Sequence, residues 1–161
     1  MESQNIRPKR AEQNTVCFTG HRMIPEAEIP LVRQHLRKAV RECLDSGYRW
    51  FMCGGALGFD TMAAEAVLAA KEENPETHLY LAVPCAEQAD RWSGPDRARY
   101  REIMDRADEV HVLSPKYYSG CMQVRNQYMV RHSALCICWL RRFATWEQIS
   151  IMWCWKTFTV T

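Results

Sequence analysis

Apolar residues in this chain fall into short runs set between longer stretches of helical spacing. Thr15-Val16-Cys17-Phe18 is the first run, a short buried strand, and Thr19-Gly20-His21-Arg22 follows it as a turn. From about Pro30 to Ser46, Val32, Leu36, Val40 and Cys43 with Leu44 keep an i, i+4, i+8 stripe, which predicts a helix that stops at Gly47. Tyr48 to Cys53 reads as a second strand and Asp60 to Glu73 as an alanine-rich helix with Met62, Ala66, Val67 and Ala70 inward. Asn74-Pro75 breaks that helix, and His78 to Val83 gives a third strand that Pro84 ends. A loop with Gln88, Arg91 and Trp92 precedes a charged helix over 95–106, and Glu109 to Leu113 is a fourth strand. A further helix over 122–132 leads to Leu135-Cys136-Ile137-Cys138-Trp139-Leu140, a fully apolar fifth strand. The tail from Trp146 to Thr161 reads as a helix plus a short strand. Strands that are near-continuous apolar runs and alternate with helices imply an α/β fold. The expectation is a three-layer Rossmann-like parallel sheet of five to six strands with helices on both faces.

Composition narrows this picture. With 161 residues, 47% hydrophobic and 25% charged, the expectation is one globular domain over 14–161 behind a flexible arm at 1–13 that carries Arg7, Lys9 and Arg10. No apolar run approaches the roughly 20 residues of a membrane span, and the N-terminus is polar and basic, so the expected location is cytoplasmic, with no membrane partner. A net charge of +2 and the lack of an evident basic stripe give the expectation that nucleic acid is an unlikely partner. The eight cysteines form no C-x-x-C pair and mostly sit in apolar runs, so they read as buried reduced thiols, with no metal expected. Cys136 and Cys138 alternate along one strand and should share a face. Trp146, Trp153 and Trp155 crowd the tail, and an apolar patch there points to homo-oligomerisation.

The candidate chemistry gathers at Cys53-Gly54-Gly55-Ala56-Leu57-Gly58-Phe59-Asp60-Thr61, where a buried strand meets a glycine turn and a helix start. One reading is an anion cradle: glycines allow positive φ or close approach of a ligand, and first-turn N–H groups favour a phosphate. The other is an ordinary βα turn in which Asp60 caps its own helix. In parallel sheets, ligands sit beyond the carboxyl ends of the strands, near the point where strand order reverses. That brings Thr19, Gly20, His21 and Arg22 beside Gly54, Gly55, Ala56, Gly58 and Asp60. Arg22 can grip a phosphate or pair with a carboxylate; His21 can donate to a phosphate or simply cap a helix. Trp92 can stack on a base with Arg91 on a phosphate, or fold back over the sheet edge. Arg125 and Asn126 can reach the same mouth or solvate a helix surface. No nucleophile–base pair stands out. G-x-S-x-G, H-E-x-x-H and the Walker phosphate loop are all missing, and Cys53 stands where G-x-G-x-x-G needs its first glycine.

Phe18-Thr19-Gly20-His21-Arg22, Gly54 to Thr61 with Ala63-Ala64-Glu65, Arg91-Trp92, Asp96-Arg97-Ala98-Arg99-Tyr100, Ala107-Asp108-Glu109-Val110 and Arg125 to Val130 together resemble the YpsA branch (DUF1273) of the SLOG superfamily. The likeness runs over about residues 15–140. It implies a Rossmann-like fold, in a bacterial protein, related to the DNA-processing protein DprA and to the LOG-type cytokinin-activating phosphoribohydrolases. It also implies a nucleotide or nucleotide-derived ligand, such as an ADP-ribose-like or NAD-like molecule, for binding or sensing at the glycine turn, with no assigned reaction and no obligatory cofactor. On matching positions the implied ligand contacts are Thr19, Gly20, Arg22, Gly54, Gly55, Gly58 and Asp60, then Arg91, Trp92, Arg125 and Asn126. Two departures stand out. Arg131 replaces a usual aspartate, and Arg142-Phe143-Ala144-Thr145 replaces a Gly-Gly-Thr loop. Two other functions compete: hydrolysis of the N-glycosidic bond of nucleoside monophosphates, which lacks its glycine-rich turn here, and DprA-like binding of single-stranded DNA, which the modest charge disfavours.

Overall fold

A computed structural model describes residues 13–140 and 150–155, with Leu140 and 150–155 described through their backbone alone. The expected arm (all but Gln13), the expected tail helix and the loop with Arg142 to Thr145 lie outside the described residues. The strands are β1 (Thr15–Gly20), β2 (Trp50–Cys53), β3 (His78–Val83), β4 (Glu109–Val112), β5 (Leu135–Leu140) and β6 (Ser150–Trp155). The helices are α1 (Ile29–Asp45), α2 (Phe59–Glu73), α3 (Gly94–Arg106) and α4 (Cys121–Arg131).

The sheet order is β4-β3-β2-β1-β5-β6. The first five strands are mutually parallel, and β6 runs antiparallel to β5, with Cys136 opposite Cys154. An apolar run carries no record of strand direction, so the orientation of β6 was not legible beforehand. From β1 the chain steps outward to β4 and then returns across the sheet, through α4, to place β5 beside β1. Parallel crossovers share one hand, so reversing the direction of travel moves the crossover helix to the other face. Accordingly α1, α2 and α3 pack with Val16, Phe18, Phe51, Leu79, Leu81 and Val83 on one face. On the other, Met129, Tyr128 and Val130 of α4 cover Cys17, Met52, Tyr80 and Ala82.

The α1 stripe is as its spacing predicts: Val32, Leu36, Ala39, Val40 and Cys43 are buried. α2 is buried on nearly every side, from Phe59 through Ala64 and from Ala66 through Leu68, because its alanines let it lie between the sheet and its neighbours. Glu65 on its remaining side is gripped by Arg99 of α3 through two bonds of 2.5 and 2.6 Å. β4 departs from the expectation of a strand covered on both faces. As the edge of the sheet it leaves Val110 and Val112 exposed, which fits its alternating Glu109-Val110-His111-Val112 sequence better than a buried run.

Asp108, just before β4, ties three elements together. It accepts from Lys71 Nζ of α2 at 2.5 Å and from the Leu79 N–H of β3 at 2.8 Å, with His78 Nδ1 at 3.4 Å. Partial burial works against its charge, yet these donors hold its carboxyl below the ordinary value. Asp108→Ala should therefore lower stability at neutral pH by about 1–2 kcal/mol, read from the urea midpoint. A depressed carboxyl contributes stability above the unfolded pKa and loses it as pH falls through the folded one, so the deficit should shrink in acid. An equal deficit at both pH values would sink this account.

Seven cysteines have described side chains and all are free: five are buried, while Cys136 and Cys138 are half-buried. The last two share a face, with their sulfurs 3.5 Å apart. Among the described residues no His/Cys/Asp/Glu cluster could hold a metal, and no helix is long and apolar enough to cross a membrane.

Candidate functional site

The strand order reverses between β1 and β5, so the carboxyl end of β1 flanks the crevice where such sheets take ligands. Thr19 and Gly20, expected in a turn, instead finish β1, because β5 pairs with them there through Cys138 and Trp139. The bend that follows holds His21 and Arg22, both exposed. His21 sets its ring edge-on to Trp139 at 5.5 Å, and its carbonyl accepts from the Phe59 N–H at 3.1 Å. This last bond stitches the β1 bend to the first turn of α2.

Three of the glycines are explained by contacts within the protein. A Cβ on Gly20 would stand 2.5 Å from the Phe59 ring. One on Gly58, whose φ is +81°, would stand 2.1 Å from the backbone carbonyl oxygen of Arg22. One on Gly54 would meet the Arg125 guanidinium and, at 2.6 Å, the Asp60 carboxylate. Gly55 differs. Its φ of +69° is a conformation that side chains rarely adopt, and the space beside it leads to Gln88 and Tyr100 at 3.2 Å.

Beneath the turn lies a buried charge pair. Arg125 reaches from α4 to donate through Nη1 to the Gly54 carbonyl at 2.8 Å, and the same nitrogen is 3.7 Å from Asp60 Oδ2. Asp60 does not cap its helix. Gly58 is the N-cap, with no side-chain cap bond, and the Asp60 carboxylate turns back toward the backbone N–H groups of Ala56 and Gly54. Burial pushes its carboxyl up to about 6, with Arg125 and those two N–H groups pulling the other way. Ala56 is fixed from both sides, since its carbonyl accepts from Thr61 Oγ1 at 2.8 Å. Asn126 accepts from Arg125 Nε through Oδ1 at 2.8 Å. Arg125 is thus a buried tie rather than a solvated helix residue, being 6% exposed.

The β3–α3 loop closes the far side. Gln88 donates from Nε2 to the Gly54 carbonyl at 3.3 Å and hydrogen-bonds the Tyr100 hydroxyl. Trp92, half-buried, meets the Tyr100 ring edge-on at 5.2 Å. Arg91 is exposed and has no ion pair among the described residues. The structure therefore gathers Gly54, Gly55, Ala56, Asp60, Arg125 and Asn126 around one turn, with Gly20, His21, Arg22 and Gly58 forming the seam to β1. Gln88 and Tyr100 belong to this group as well. Their sequence separation from Gly54 leaves no local signal that would single them out.

This fold, with its turns at the carboxyl edge beside a strand-order reversal, defines a Rossmann-like α/β protein. A family model described as the YspA SLOG family (YpsA) matches residues 18–142, and the chain belongs to that family. It is 30% identical over 107 residues to a UPF0398 protein of Halalkalibacterium halodurans, a match covering 65% of this chain and 57% of that protein. A UPF0398 protein of Levilactobacillus brevis is 30% identical over 110 residues, covering 67% and 58%. The chain therefore spans a little under three fifths of the length of these two relatives. Among solved structures it resembles DNA processing protein A of Helicobacter pylori, described for its single-stranded DNA binding mode. The TM-score is 0.56 with 19% identity, over 86% of this chain and 60% of that one, a likeness of fold.

That neighbour corrects the expectation that nucleic acid is an unlikely partner: the fold is shared with a protein that binds single-stranded DNA. The physical reason is that a net charge of +2 averages over the whole chain and says nothing of how charge is distributed in space. Arg33, Arg37 and Arg41 are all exposed on one helix.

Proposed function

We propose that this chain binds a nucleotide or nucleotide-derived ligand at the mouth formed by residues 19–22, 54–60 and 88–92. The observation that carries this reading is the Asp60–Arg125 pair beneath the glycine turn. Burying an ion pair seldom stabilises a fold more than an apolar substitute would, so its retention needs another reason. A fully buried carboxyl shifted to about 6 at the strand ends is the kind of group that marks functional sites. Here the pair fixes the shape of the Gly54–Gly58 turn from below. Above it, Arg22 and Arg91 supply cationic side chains for phosphate, and Trp92 with Tyr100 supplies an aromatic wall for a base. DNA processing protein A supports the same ligand class, since a strand of DNA is a row of nucleotides. The arrangement offers a binding geometry and, among the described residues, no nucleophile–base pair, so the reading is binding or sensing rather than hydrolysis. The setting in this reading is bacterial and cytoplasmic.

Calorimetry of the chain against AMP, ADP-ribose, NAD and a short single-stranded oligonucleotide tests it. Binding of at least one, weakened about tenfold by Arg22→Ala or Trp92→Ala with the melting temperature unchanged, is the expected result. Silence from well-folded protein toward all four would overturn the reading.

A further inference from the structure

We propose that the solvent face of α1 is a second binding surface, one that takes the backbone of a single-stranded nucleic acid along Arg33, Arg37 and Arg41. The three arginines recur at every fourth residue. They therefore form one row, with successive guanidinium groups rising by about 6 Å along the helix, close to the spacing of phosphates on an extended strand. All three are exposed, and none has an ion pair among the described residues. Four arginines elsewhere are committed: Arg99 to Glu65, Arg106 to Glu72 and Glu102, Arg49 to Glu76, and Arg125 to Asp60. On α1 itself, Lys38 is 3.8 Å from Glu42, which engages one of the two acids on that face and leaves the arginine row outside the pair. The same solvent face also carries Gln34 and Lys38, and its two acids, Glu42 and Asp45, stand together at the far end from Arg33.

The support beneath the row is rigid. Val32, Leu36, Val40 and Cys43 bury the opposite face of α1 in the core, so the guanidinium groups stand on a fixed helix. Burial of those residues also decides between anionic partners. An amphipathic helix that lies in a membrane inserts its apolar face, and the apolar face of α1 is already spent on the sheet. Arginine rather than lysine at all three positions suits the planar, two-pronged recognition of phosphate. A single strand suits the row better than a duplex does. Duplex backbones wind around their axis and leave a straight line of charges after one or two phosphates, whereas a flexible strand can follow all three. Because α1 begins just after the β1 bend, the Arg33 end of the row points toward the mouth edge of the sheet.

Fluorescence anisotropy of a labelled oligothymidylate with the full chain tests this surface independently of the mouth. Binding should weaken with salt, with a log–log slope of about −2 for three phosphates released from counterions. The triple variant Arg33→Gln/Arg37→Gln/Arg41→Gln should bind about tenfold or more weakly, with a slope near zero, while its circular dichroism stays that of the parent. A charge-matched variant elsewhere, Arg97→Gln/Arg101→Gln/Lys116→Gln, should keep most of the affinity. Whatever affinity the parent shows for AMP or ADP-ribose should be unchanged in the Arg33/Arg37/Arg41 triple variant, which separates failure here from failure of the mouth. The proposal is overturned by no binding, by equal loss in the two triple variants, or by tighter binding to phosphatidylserine vesicles or to the matching duplex than to the single strand.

Discussion

Gly58→Ala is expected to destabilise the fold by roughly 3–5 kcal/mol, or about 10 °C in melting temperature. Two causes act together. With φ at +81° and ψ at −121°, the residue occupies a region that a side chain can enter only under strain. The new Cβ would also stand 2.1 Å from the Arg22 carbonyl oxygen and 2.5 Å from its carbon, both backbone atoms that no rotamer change can move aside. Relief would require parting the β1 bend from α2 and breaking the Phe59 N–H bond to the His21 carbonyl. Gly47→Ala provides the comparison. Its φ is +94°, but nothing lies within 4 Å of the added carbon, so only conformational strain remains, about 1 kcal/mol. Similar melting temperatures for the two variants would refute a packing role for Gly58.

Arg125→Ala should be as damaging at neutral pH and far less so in acid. Removing the guanidinium leaves the Asp60 carboxylate buried without its counter-charge and strips a donor from the Gly54 carbonyl, a loss of about 3–5 kcal/mol. The pH dependence separates this from a simple cavity. In the parent, the Asp60 carboxyl is raised from 3.8 to about 6 by burial. Between those values the unfolded chain has released a proton that the fold still holds. Stability therefore falls as pH rises through that window, by up to about 3 kcal/mol for this group. Without Arg125 the folded value climbs further, and the falling window extends upward past 6. Denaturant midpoints of parent and variant should thus converge below pH 4 and diverge toward neutrality. Asp60→Asn in the same background should restore part of the neutral-pH loss. A pH-independent difference would mean that lost packing, not the stranded charge, explains the variant.

Much of the fold was legible because strands buried on both faces must be apolar throughout. Phe51 to Cys53, Leu79 to Val83 and the run from Leu135 announced themselves in this way, and the α1 stripe fixed which of its faces is buried. What a one-dimensional pattern does not carry is who meets whom. The glycines at 20, 54 and 58 stand among the expected ligand contacts, yet each is also required by a neighbour: the Phe59 ring, the Arg125 guanidinium and the Arg22 backbone. Arg125 lies 71 residues from the carbonyl it binds, so nothing local distinguished it from a surface arginine. Asp60 looked like a helix cap because it stands two residues after the true one, a register that only the turn geometry reveals. The arginines of α1 recur at every fourth residue, but the sum of charge over the chain hides the row they form.

The strand order also sets a sequence of loop closures. Pairing β1 with β2, β2 with β3 and β3 with β4 joins residues such as 15 to 50, 50 to 78 and 80 to 109. Pairing β1 with β5 joins 16 to 135, more than three times farther along the chain. Loop-closure entropy grows only with the logarithm of length, so this longer loop costs about 1 kcal/mol more. Order matters more than amount. A chain leaving the ribosome has four strands and three helices in hand before α4 and β5 exist. Until α4 arrives, Asp60 has no Arg125 beside it, and until residue 139 has been made, Gly20 has no strand partner on its open side. The carboxyl edge of β1, where the mouth lies, is the last part of the parallel sheet that synthesis allows to close.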